Sequence, residues 1–104
     1  MVHRQHDGSI EFAFFRPGAV SVAIAGTFNQ WQIHTHFLSK DENGWWRIRM
    51  QLPIGKHEFK YVVDGNLWEA DFAAYGLEMC DIGGWNSVVW VDRIATEQEL
   101  SSAA

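Results

Sequence analysis

The chain has 104 residues, enough for one domain built on one hydrophobic core. Its formal charge of -5, with eight basic residues scattered along the chain, excludes a phosphate-tracking surface for nucleic acid and a basic face for anionic membranes. A neutral polysaccharide makes no such demand on charge. A single cysteine, Cys80, admits neither an internal disulfide nor a thiolate zinc site.

The first residues carry no apolar h-region, and no run approaches the ~18 apolar residues of a membrane span. A cytoplasmic protein is the expectation. Residues 10–15, Ile-Glu-Phe-Ala-Phe-Phe, begin with alternation and predict a strand. Arg16-Pro17-Gly18-Ala19 predicts a turn. Residues 20–25 alternate again, with Val20, Val22 and Ile24 on one face and Ser21 and Ala23 on the other, until Gly26 ends the run. A short edge strand is expected within 36–39. Asn43-Gly44 is the strongest local hairpin signal, and residues 45–52 follow it with Trp46, Ile48, Met50 and Leu52 on one face.

After a turn at Pro53-Ile54-Gly55, residues 57–63 predict a strand closed by Asp64-Gly65, and residues 67–69 pair back across it. If they do, Leu67 and Trp68 point to opposite faces, Leu67 inward and Trp68 outward. Residues 71–85 read as irregular, with Gly76, Gly83 and Gly84 as breakers, and residues 87–91 as the last strand. Short β segments, turn signals and the lack of a helical period within 10–91 predict an all-β fold, an antiparallel β-sandwich. Its expected core includes Trp46, Val22, Ile24, Phe59, Tyr61 and Val89. Residues 1–92 are expected to form the domain, and 93–104 a polar tail that is either a short helix or unstructured.

Six tryptophans and seven phenylalanines exceed what so small a core explains, so some should be exposed for contact. Trp31 and Trp68 each follow a break in an apolar run. Each is either a cap on the sandwich or an aromatic plane offered to a ligand. The second reading fits the flat C–H face of a glucose ring, which loses water against an indole with no charge to compensate. Lys60 faces away from Phe59 and Tyr61, either as an ordinary solvated lysine or as a donor to sugar hydroxyls. Asn86, after Gly83-Gly84-Trp85, is either a turn residue bonding its own backbone or a donor–acceptor for a vicinal diol. Trp45, Trp85 and Trp90 are candidates for an outer sheet face, a further plane or a partner.

His34-Thr35-His36 offers two imidazoles but no third ligand, and no metal site is expected. The pairs Asp41/Glu42 and Glu69/Asp71 are read as solvated turn residues, because a glycosidase needs a deep cleft that this chain has little room for. No catalytic constellation emerges, and no cofactor is called for.

Four stretches in order carry a resemblance: Ala25-Gly26-Thr27-Phe28-Asn29-Gln30-Trp31, Gly44-Trp45-Trp46, the run from Leu52 to Gly65, and Asn86-Ser87-Val88-Val89-Trp90-Val91. Together they resemble carbohydrate-binding module family 48, the isoamylase-N-terminal-like module also carried by the AMP-activated protein kinase beta subunit. The resemblance implies an immunoglobulin-like sandwich of the early-set type. It also implies non-catalytic binding of α-1,4-glucan through Trp31, Trp68, Lys60 and Asn86. The pattern departs from the family where Leu67 intervenes before Trp68, where Asp71-Phe72 stands for Asp-Pro, and where Ile82-Gly83-Gly84 lacks a hydroxyl. The alternative expectation keeps the fold and replaces sugar with protein. The module would then be an adaptor to a glucan-metabolising enzyme or kinase, or a homodimer.

Overall fold

A computed structural model describes residues 1–71, 76–79 and 85–92. The tail expected over 93–104 and the breakers Gly83 and Gly84 lie outside the described residues. The strands are β1 (Val2–Arg4), β2 (Ile10–Phe15), β3 (Val22–Gly26), β4 (Ser39–Lys40), β5 (Trp45–Met50), β6 (Gly55–Val63), β7 (Leu67–Glu69), β8 (Gly76–Met79) and β9 (Trp85–Val91). A 3-10 turn, Thr27–Asn29, follows β3. One sheet runs β1-β2-β5-β4, the other β3-β6-β9-β8, and every pairing is antiparallel. β7 pairs with the end of β6, so the edge of β6 away from β3 is shared by β9 and β7. This is the predicted all-β sandwich.

Alternation explains the core. Phe12 from the first sheet meets Phe59 from the second edge-on at 4.9 Å, and Phe14 stacks on Tyr61 at 4.4 Å. Val22, Ile24, Phe59, Tyr61 and Val89 are fully buried, and Trp46 nearly so. The Trp46 indole N–H donates to the carbonyl of Arg16 at 2.8 Å, so its one polar atom is satisfied. Two glycines are required by their surroundings. Gly44 has φ 91 and closes the hairpin into β5. At Gly26 a Cβ would lie 2.7 Å from the Phe28 ring, so no other residue fits there without movement.

Several expectations are corrected. β3 starts at Val22, leaving Val20 86% exposed. The reason is Asp64, whose carboxylate accepts the N–H groups of Val20 (2.7 Å) and Ser21 (3.0 Å) and holds that stretch in a turn. Leu67 is not inward, because it lies at the tip of the β6–β7 hairpin and is as exposed as Trp68. Residues 71–85 are not wholly irregular, since β8 pairs with β9, and β9 begins at Trp85 rather than Ser87. Strand β1 was not expected at all. It is held by its register on β2, Val2 opposite Phe12. Within 36–39, Leu38 donates to the Val22 carbonyl and Ile24 to that of His36, while β4 crosses to the first sheet.

Asp71 is not a solvated turn residue either. It is 5% exposed and accepts the Tyr61 hydroxyl at 2.7 Å, and its backbone N–H donates to Ser87 Oγ. Burial, then the Asp71 charge and hydrogen bond, push the Tyr61 hydroxyl well above its ordinary pKa.

Candidate functional site

The outer face of the second sheet is set by the strands that bury Phe59 and Tyr61. With those two inward, Glu58, Lys60 and Val62 of β6 point outward. Register does the rest. Ala25 lies beside Lys60, Ala23 and Trp68 flank Val62 from β3 and β7, and Val88 of β9 lies beside Glu58. One step further along β9, Asn86 comes level with Lys60. Trp68, Lys60 and Asn86 therefore share one face of one sheet.

Trp31 reaches the same face from a loop. Its ring packs with Ile33 on the outward Ala23, Ala25 and Val62. The backbone there is unusual, with Gln30 at φ 55 and Trp31 at φ 59. Two adjacent left-handed non-glycine residues each cost on the order of 1–3 kcal/mol and persist only where surroundings enforce them. Asn29 does the enforcing. Its Oδ1 accepts the Gly26 N–H at 2.9 Å, its Nδ2 donates to the Ile24 carbonyl at 3.1 Å, and it lies 3.0 Å from His36 Nδ1. The Trp31 N–H then donates to the Gly26 carbonyl at 2.9 Å. The chain is thus turned back so that the indole lies over β3.

The two indoles stand on opposite sides of β6, over β3 and over β7. Two strand spacings separate those strands, about 10 Å, with Lys60 and Val62 between them. Trp68 is 43% exposed and Trp31 is half-buried by its seat on the alanines. Asn86 is largely covered, and its Nδ2 donates to Glu58 Oε1 at 3.4 Å. All four sequence-predicted residues are brought together on this face.

Beside it lies an open recess of about 440 Å³, lined by Phe14, Phe15, Arg16, Lys60, Trp68, Glu69, Ala70 and Trp85. Arg16 Nη1 donates to Glu69 Oε1 at 2.9 Å. Sequence reasoning set Glu69 aside as a turn acid and left Arg16 in a turn. The Asp64-Gly65 turn signalled the β6–β7 hairpin, but nothing local to either residue brings Arg16, just past the end of β2, against Glu69. Asn29 was also missed as a positioning residue. Its signal was the Gly-x-x-Asn spacing, an Asn that caps the turn it sits in.

Among the described residues no group of three or more His, Cys, Asp or Glu is placed to hold a metal, and His36 is engaged by Asn29. No helix among them is long and apolar enough to cross a membrane.

Residues 10–91 match the family model described as the glycogen recognition site of AMP-activated protein kinase. The chain is also similar to the 1,4-alpha-glucan branching enzyme GlgB of Synechococcus elongatus and of a second Synechococcus strain. Each is 27% identical over 107 residues, covering 88% of this chain and 14% of the enzyme. The chain thus spans only a small part of the length of these curated relatives.

Proposed function

The chain belongs to the family of the glycogen recognition site of AMP-activated protein kinase, and from that premise we propose that it binds α-1,4-linked glucan without catalysis. The ligand lies across the outer face of the second sheet. Trp31 and Trp68 stack on sugar rings, and Lys60 and Asn86 bond to hydroxyls between them. The observation that supports this best is the convergence of an exposed indole from β7, a strained-loop indole over β3, and Lys60 on one sheet face.

The magnitudes are modest. If each indole removes about 100 Å² of apolar surface from water, each contributes roughly 2–3 kcal/mol. Hydrogen bonds exchanged with water add about 1 kcal/mol apiece, and association and sugar ordering remove several. A dissociation constant of roughly 10 µM to 1 mM for a maltooligosaccharide follows.

The test is retention on glycogen or amylose and not on cellulose, for the wild type, Trp31→Ala and Trp68→Ala. Each substitution should weaken binding at least about tenfold, the loss of ~1.4 kcal/mol, without unfolding the domain. Retention unchanged by both would refute the reading.

A second reading, docking to a glucan-metabolising enzyme, a kinase or a second copy, draws on Trp90, 54% exposed beside Lys56 at the far end of the same face. Capture that requires Trp90 and is indifferent to glucan would favour it.

A further inference from the structure

We propose that the recess beside Trp68 takes the non-reducing end of a glucan chain, with Glu69 as the acceptor for its terminal hydroxyls. The inference rests on the glucan-binding reading of the adjoining face and adds to it a preference for chain ends.

Glu69 carries the argument. Its Oε1 is held by Arg16, while its Oε2 is buried and, among the described residues, has no hydrogen-bond partner. A carboxylate oxygen removed from water without a donor is a costly arrangement that native structures rarely leave unfilled. The Glu69 side chain as a whole is 27% exposed, so a turn of its carboxylate would present that oxygen to an O–H or N–H arriving from a ligand in the recess. Lining the recess with Glu69 are two cations, Arg16 and Lys60, and the rings of Phe15, Trp68 and Trp85. Trp85 is itself 47% exposed. Apolar walls with a few convergent polar groups describe a small-molecule site, and 440 Å³ falls in the usual range of about 300–1,000 Å³ for one.

Lys60 and Trp68 belong to both the face and the recess, so a chain stacked on the face can run directly into it. An internal glucose is linked on both sides and would have to enter and leave. A terminal glucose needs room for one ring only. The non-reducing end also adds a free hydroxyl next to its neighbour on the ring. That vicinal pair can donate to Glu69 Oε2 and accept from the remaining guanidinium N–H groups of Arg16. In a branched glucan every chain supplies such an end, whereas the whole molecule has one reducing end.

The experiment compares three ligands by calorimetric titration: maltoheptaose, β-cyclodextrin, which has no ends, and maltoheptaose capped at its non-reducing end by an ethylidene acetal. The proteins are the wild type, Glu69→Gln and Trp85→Ala, each checked for an intact thermal transition. Should Glu69→Gln fail to fold, Trp85→Ala carries the test, since its side chain is half in solvent. The expected result is that each substitution weakens maltoheptaose at least about tenfold, the loss of one charge-assisted hydrogen bond or one ring contact. β-Cyclodextrin binding should hold within about twofold, and the capped sugar should bind the wild type as weakly as maltoheptaose binds Glu69→Gln. Equal loss of both uncapped ligands, or loss of neither, overturns the end-recognition inference while leaving the face intact. Failure of the wild type to bind any of the three overturns the glucan reading itself.

Discussion

Replacing Asn29 with alanine should damage stability and ligand binding together, although Asn29 is 5% exposed and touches no proposed ligand. The substitution leaves the buried Gly26 N–H without the acceptor it has at 2.9 Å. An orphaned buried donor costs about 1–3 kcal/mol, and the bonds to Ile24 and His36 add about 1 kcal/mol between them once water is counted. A destabilisation of about 2–4 kcal/mol follows, against a total of about 5–15 kcal/mol for a domain of this kind. The protein should stay folded at 25 °C and melt roughly 10–25 °C lower. Without the Asn29 side chain, Gln30 and Trp31 keep their positive φ values only through the Trp31 N–H bond to the Gly26 carbonyl and the seat of the indole on Ala23, Ala25 and Val62. That strain, on the order of 1–3 kcal/mol per residue, should relax and carry the indole off β3. Thermal melting and a maltoheptaose titration well below the new midpoint separate the two effects. Affinity should fall about as far as in Trp31→Ala, at least tenfold. A variant that melts lower and binds sugar as the wild type does would refute the claim that Asn29 positions Trp31.

Acid should weaken the fold through Asp64. The N–H groups of Ser21 and Val20 hold its folded pKa below the ordinary 3.8. Its contribution is therefore full above 3.8 and is lost as pH falls through the folded value. Denaturant midpoints measured from pH 6 down to pH 2 should drop below about pH 4, and Asp64→Asn should flatten that drop. Tyr61→Phe removes one donor to the buried Asp71 carboxylate, which keeps the N-terminal ammonium of Met1, and should cost about 1 kcal/mol by urea unfolding, with little change in the slope. Gly26→Ala should cost about 1–3 kcal/mol by the same assay, because the added methyl meets the Phe28 ring and the Glu58 carbonyl.

What was legible in the sequence was whatever a strand writes into its own residues. Period-two alternation located β2, β5 and β6 and identified Phe59, Tyr61 and Trp46 as core. It also made Lys60 an outward residue, because its neighbours had to face in. What escaped was set by partners distant in the chain. Val2-His3-Arg4 has one apolar residue and becomes a strand only against β2. Val20 alternates correctly with Val22 and is still outside, because Asp64, more than forty residues later, takes its N–H. Leu67 looks like core and lies at a hairpin tip. Asp71 looks solvated and is buried beneath Tyr61. The recess is the extreme case. Arg16 and Glu69 are 53 residues apart and meet only because the β6–β7 hairpin returns against the end of β2.

The most direct test of glucan binding on the second sheet is a maltoheptaose titration followed by indole and backbone amide resonances. The account predicts saturable shifts at the Trp31 and Trp68 indoles and at the amides of Lys60, Val62 and Asn86. The first-sheet residues Glu11, Arg47 and Arg49 should stay still. A dissociation constant of roughly 10 µM to 1 mM should fit all the moving signals, and added salt should hardly change it because the ligand is neutral. Shifts confined to the first sheet, or no response at about 10 mM sugar, ten times the weakest affinity expected, would contradict it.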